Sequence, residues 1–136
     1  LNKMARLMLD MDHRDYIGQK ELDQIGTLNV KDRVQQLKLN HVFKISNNTA
    51  PAYMYHHFLK TADQHTYNTR NKENNFFLPR VTSIAANSFF FTAIKSWNEL
   101  PNHIKSLTEK RNFKTKVKAF LSEKAKLTEV GKFHIY

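Results

Sequence analysis

The sequence predicts a mainly α fold, a small bundle of about five to six helices with one two-stranded β-hairpin. Three observations predict it. Apolar residues recur at i, i+3, i+4 and i+7 in most segments. Three glycines and three prolines in 136 residues are too few for a turn-rich all-β chain. One stretch, Ser88–Pro101 (SFFFTAIKSWNELP), is helical in spacing and apolar around most of its surface.

That stretch organises the rest. Asn87 or Ser88 can cap its start, and Pro101 must end it. At about 100° per residue, Phe89, Phe90, Ala93, Ile94, Trp97 and Leu100 spread over roughly 140°. Phe91 extends the apolar edge, and Thr92, Lys95 and Glu99 form the polar strip. A helix this apolar should be nearly enclosed. Phe90, Ile94, Trp97 and Leu100 are therefore expected in the core, with Phe113, Val117 and Phe120 from the last helix.

The other elements follow in order. Lys3–Met11 reads as a short helix with Met4, Leu7, Met8 and Met11 inward. Asp10, Asp12 and Asp15 lack the later Gly and Glu of a calcium loop and read as a solvated turn. Gln19–Ile25 is a second helix, stopped by Gly26 in a left-handed C-cap position. A third starts after Asn29, with Asp32 three residues on as a variant capping box, and runs to about Ser46. Val30, Val34, Leu37 and Ile45 lie on one side of it, and Leu39, Val42 and Phe43 on another, so it is expected between neighbours. His41 falls on the first side as a core or boundary residue.

Asn47-Asn48-Thr49 makes a turn, and Pro51–Lys60 reads as a fourth helix with Met54, Tyr55, Phe58 and Leu59 inward. The adjacent rings of His56 and His57 point apart on a helix, a poor metal site. Thr61–Asn75 lacks helical periodicity. Within it His65–Arg70 could form a strand, returned by Phe76–Val81, with Pro79 confining the return to an edge. After a short turn at Asn102–Leu107, Thr108 caps a last helix to about Lys126 with Phe113, Val117, Phe120 and Leu121 inward. Residues 1–126 are expected to form a single domain and 127–136 a tail.

Charge suggests a partner class. The net charge is +10. Residues 1–65 and 66–101 each carry +2, whereas 102–136 carry nine Lys/Arg against three Asp/Glu, for +6. A cationic end points to a polyanion, with RNA or DNA favoured over an acidic membrane. The candidate contacts are Arg70, Lys72 and Arg80 near the hairpin, and Lys110, Arg111, Lys114, Lys116 and Lys118 on the last helix. Arg111, Lys114 and Lys118 line one flank of its apolar stripe, and Lys116 the other. Such long side chains can bury their stems and offer their charges to phosphates.

Other chemistries find no motif. No cysteine exists for disulfides, thiolate catalysis or Cys-based zinc sites. No apolar run approaches the about 18 residues of a membrane span. No phosphate-binding glycine loop, nucleophile elbow or zinc-protease pair occurs. No catalytic residue, metal site or cofactor is expected. The chain begins at Leu1 without Met and reads as a fragment or processed piece, intracellular in nucleus or cytoplasm.

The order of the segments resembles the extreme C-terminal region of reverse transcriptases encoded by non-LTR retrotransposons of the jockey and chicken-repeat type. MARLMLDMD from Met4 resembles the helix after the polymerase thumb. The resemblance continues through IGTLNVKDRVQQLKLNHVFKISNNTAPAYM from Ile25, YNTRN from Tyr67 and FFLPRV from Phe76. SFFFTAIKSWNELPNHIKSL from Ser88 resembles the family's aromatic helix ending in W-N-x-L-P, and NFKTKVKAFL from Asn112 its closing basic helix. The chain departs from the family at Gly26-Thr27-Leu28-Asn29, where Trp-Leu-Pro is usual. The palm with its metal-binding aspartates is not in these residues.

The resemblance implies a non-catalytic C-terminal domain of an RNA-directed DNA polymerase. It would contact template RNA or target DNA and the upstream polymerase domains of the same polypeptide. Tyr67 and Phe76 could stack on unpaired bases or pack on the helices. The alternative is a host-adopted retroelement fragment serving as a protein-interaction module.

Overall fold

The computed structural model describes residues 1–64 and 74–134. It is mainly helical. Its helices are α1 (Asn2–Met8), α2 (Gln19–Gln24), α3 (Val30–Ser46), α4 (Thr61–Gln64), α5 (Phe89–Asn98), α6 (Asn102–Lys105) and α7 (Lys110–His134). Two 3-10 segments, Ala52–His57 and Ala85–Asn87, precede α4 and α5. Contacts divide the chain into two compact units, one of residues 1–36 with 117–136 and one of residues 37–116.

In the first unit, Ala5, Ile17 and Leu22 form a small core, with Met11 and Ile25 packed on it. The α1 stripe differs from expectation. Met4, Leu7 and Met8 are exposed, and the fully buried residue is Ala5. A methyl group facing the core lets the helix backbone approach closely, which the larger side chains could not. Asp12 and Asp15 brace the turn that follows, where the Asp15 carboxylate accepts from the Asp12 N–H at 3.0 Å.

Helix α2 ends as the sequence indicates. Gly26 sits at φ 69°, its N–H donates to the Asp23 carbonyl, and the Thr27 N–H donates to Leu22. This is the left-handed closure that a residue without Cβ makes at least cost. The α3 start is also as read. Asn29 Oδ1 accepts from the Asp32 N–H at 2.8 Å, and Asn29 Nδ2 donates to the Asp32 carboxylate and to Gln19 Oε1. Gln19, 8% exposed, passes the network on to Asp23. The amide groups of Asn29 and Gln19 thereby find protein partners in place of water. Leu28, Val117 and Leu121 are the other buried apolar residues of the unit.

The second unit is built around α5. Ser88 Oγ accepts from the Phe91 N–H, so Ser88 is the N-cap. Ala93, Ile94, Trp97 and Leu100 are buried, with Leu39, Val42, Phe43, Ile45, Phe58, Phe76, Ile104 and Phe113. Phe113 stacks on Phe43 at 4.2 Å between centroids, and Trp97 lies between Phe113 and Phe76 at 5.7 and 5.9 Å. Burying each such aromatic removes enough apolar surface to stabilise the fold by about 1.5–3 kcal/mol. Phe90 and Phe120, expected in the core, are only partly buried. Helix α5 is enclosed in its second half, while its first turn, Phe89–Phe91, stays partly open.

Several expected elements are corrected. On α3, Val30, Val34 and Leu37 are exposed while Leu39, Val42, Phe43 and Ile45 are buried. The first face is thus open at Val30, Val34 and Leu37 and covered at Ile45, whereas the second face is buried throughout. Pro51–Lys60 is no α-helix. It forms the 3-10 segment and then the extended Phe58–Lys60, with Phe58 buried and Leu59 exposed. Helix α4 falls in the stretch expected to lack helix. Helix α7 continues past Lys126 to His134. Its first helical bond runs from the Phe113 N–H to the Glu109 carbonyl, so the cap is Glu109 and not Thr108.

No strand forms among the described residues, so the expected β-hairpin is not found there. Its first half, His65–Arg70, lies outside them. In its second half only Phe76 pairs, in a single antiparallel bridge with Lys60. The Phe77 N–H donates to Leu59 and the Thr61 N–H to Asn75. Pro79 has no N–H to extend the ladder, and Asn98 occupies the other side of Phe76.

Candidate nucleic-acid interface

The second unit holds twelve of the 22 Lys/Arg and four of the 12 Asp/Glu, a net charge of +8. Three groups of cations bear on a polyanion interface. Lys110, Arg111, Lys114 and Lys116, on the first two turns of α7, are exposed. Their side chains make no ion pair among the described residues. The same turns anchor through Phe113, which is fully buried, so the charges stand on a fixed helix face. Arg80 is exposed in the irregular chain after Pro79. Arg70 and Lys72 lie outside the described residues.

The second group is committed to the fold. Lys105 is only 5% exposed. Its Nζ donates to Asn75 Oδ1 at 2.5 Å and to the Asn98 carbonyl at 3.4 Å. It therefore places a cation on the last carbonyl of α5, where the helix dipole is negative. Burial holds its pKa below the ordinary lysine value, because removing an ammonium from water disfavours the charged form. Sequence reasoning passed over Lys105, since its spacing on a four-residue helix carries no signal of burial. In the first unit Lys118 is also spoken for, its Nζ donating to the Gly26 carbonyl at 2.7 Å. It belongs to the α2 C-terminus as well as to the basic flank.

Two further cations contact unit-two side chains. Lys38 Nζ donates to Thr92 Oγ1 at 3.0 Å, and Lys60 Nζ lies 5.7 Å from the Phe76 ring centroid. Phe76 itself is 2% exposed and packs on Phe58 and Trp97, so it offers no face to a base. Tyr67, its expected companion, lies outside the described residues. Among the described residues no group of three metal-ligating side chains converges, and no helix is long and apolar enough to cross a membrane.

The first unit also holds open concavities. Leu28, Val30, Val34 and the stem of Lys118 line an open groove of about 360 Å³. Its lining is mainly apolar, with Arg33 and Lys118 as its charged side chains.

No family model, no curated protein and no solved structure matches this chain.

Proposed function

We propose that this chain is a non-catalytic C-terminal domain of a retrotransposon-type reverse transcriptase that contacts RNA or DNA through the start of α7. The observation that carries the binding reading is the set of Lys110, Arg111, Lys114 and Lys116, exposed and unpaired among the described residues in a unit of net charge +8. Cations without internal partners lose nothing in turning to phosphates, and each phosphate neutralised releases counterions. The polymerase assignment rests on the resemblance of the segment order.

The test is affinity for RNA and for duplex DNA across salt. With four cations on phosphates, duplex affinity should fall as about the −3.6 power of salt. The triple change Lys110→Glu, Arg111→Glu and Lys114→Glu should flatten that slope by about 2.7. An unchanged slope and affinity would remove α7 from the interface. An upstream reading frame with a polymerase palm would support the parent assignment.

A host-adopted protein-interaction module is the second reading. The exposed Val30 and Val34 on the apolar groove favour it, because such side chains cost solvation until covered. A short reading frame under a host promoter would select it.

A further inference from the structure

We infer that the partly open start of α5 is a stacking platform for unpaired bases of single-stranded nucleic acid, an inference that rests on the nucleic-acid reading above. Four rings form a continuous row there. His57 stacks on Phe90 with centroids 3.9 Å apart and planes 20° from parallel. Phe90 meets Phe89 edge to face at 5.5 Å, and Phe89 meets His41 at 6.3 Å and 82°. The two phenylalanines are partly buried, whereas the imidazoles at both ends are exposed.

The row draws on three elements: α3 for His41, the first 3-10 segment for His57, and α5 for the phenylalanine pair. That convergence fixes the end rings. One face of His57 is covered by Phe90, so what it exposes is its other face and its edges. A base laid on that face extends an existing stack, and the ring has little rotational freedom left to lose on binding. An aromatic surface accepts any base, because every base has a π face.

Charge complementarity selects the occupant. Single-strand sites combine aromatic platforms with cations that follow the backbone. Lys38 lies one turn before His41 on α3 and reaches Thr92, one turn after Phe89 on α5. A cation thus stands beside the row, within a unit of net charge +8. An apolar protein partner would gain nothing from that field, and a duplex would keep its bases out of reach.

The experiment compares the full 136-residue chain binding a 12-residue oligothymidylate with an abasic strand of equal length and charge. Oligothymidylate should bind more tightly. His57→Ala should weaken it by about tenfold and leave the abasic strand unchanged, while His57→Tyr should bind as well as the parent. The His57 ring protons should shift upfield with oligothymidylate alone. Equal affinity for the two strands would overturn the platform and leave the phosphate interface standing. So would a His57→Ala loss shared equally by both strands, which marks damage to the fold. Binding to neither strand would also overturn the platform, and the phosphate interface would then be decided by the salt series on RNA and duplex DNA.

Discussion

The side-chain amide of Asn98 stands where a neighbouring strand would stand for Phe76. Asn98 Oδ1 accepts from the Phe76 N–H at 3.0 Å, and Asn98 Nδ2 donates to the Phe76 carbonyl at 2.9 Å. The bridge to Lys60 uses the N–H and C=O groups of the flanking residues, so Phe76's own pair faces α5. One side chain thereby satisfies both backbone groups of a residue that is almost fully buried. Trp97 Nε1 donates to the Asn74 carbonyl at 2.9 Å and Lys105 holds the Asn75 side chain. Consecutive residues 74–76 are fastened to α5 and α6 by three side chains.

Removing the amide leaves two buried backbone groups without partners. Asn98→Ala should cost about 2–6 kcal/mol, since each unsatisfied group is worth about 1–3. Asn98→Asp keeps the acceptor but sets a carboxylate against the Phe76 carbonyl, so it should not restore the loss. Urea unfolding measures both. A cost for Asn98→Ala below about 0.5 kcal/mol, typical of a surface change, would mean that water takes over the amide's role.

Trp97 separates packing from hydrogen bonding. It is 1% exposed and touches Phe76 and Phe113. Trp97→Ala should cost about 3–5 kcal/mol and unfold the second unit. Trp97→Phe keeps much of the ring and strands only the Asn74 carbonyl, and should cost about 1–3 kcal/mol. Near-ultraviolet circular dichroism with thermal unfolding reads both. A folded Trp97→Ala protein lacking only nucleic-acid affinity would instead make Trp97 a contact residue.

Features set by neighbouring residues were legible in the sequence. The Asn29–Asp32 cap, the Gly26 stop, the Ser88 cap and the break at Pro101 all act within a few residues, where geometry follows from residue type. The burial of Ile94, Trp97, Leu100, Phe113 and Val117 followed from helical spacing. Periodicity marks a face but does not say whether a partner covers it. Hence Val30, Val34 and Leu37 are exposed, and Ala5 is buried in place of Met4 and Leu7. The same limit divides the cations. Lys110 to Lys116 look like Lys105 and Lys118 in the sequence, but Lys105 meets Asn75 from 30 residues away and Lys118 meets Gly26 from 92. Those pairings depend on the whole fold, and no local pattern carries them.

Gly26 isolates a backbone effect. At φ 69° it lies where L side chains are strained, and a Cβ there would meet nothing within 4 Å. Gly26→Ala should therefore cost about 1–2 kcal/mol from conformation alone. Gly26→Asn should cost less, because asparagine tolerates the left-handed region. Equal losses for the two in urea unfolding would show that the strain is relieved by a shift of the α2 terminus.

Lys105 should make stability depend on pH in the alkaline range. Its folded pKa lies below the ordinary 10.5 because burial disfavours the ammonium. Below that lowered pKa the group is charged in both folded and unfolded chains, and the fold carries the full cost of burying the charge. Between the lowered value and 10.5 the unfolded chain keeps a proton that the folded chain has released. Stability then rises with pH, because the unfolded state binds more protons. Above 10.5 both states are neutral and the contribution is level. Lys105→Met keeps an unbranched stem and removes the titration. The stability of the parent relative to this variant, from urea unfolding at pH 7–11, should climb through that window. Common titrations elsewhere cancel in the difference. Parallel curves would mean that the bonds to Asn75 and the Asn98 carbonyl hold the ammonium as well as water does, and that its burial carries no charge penalty.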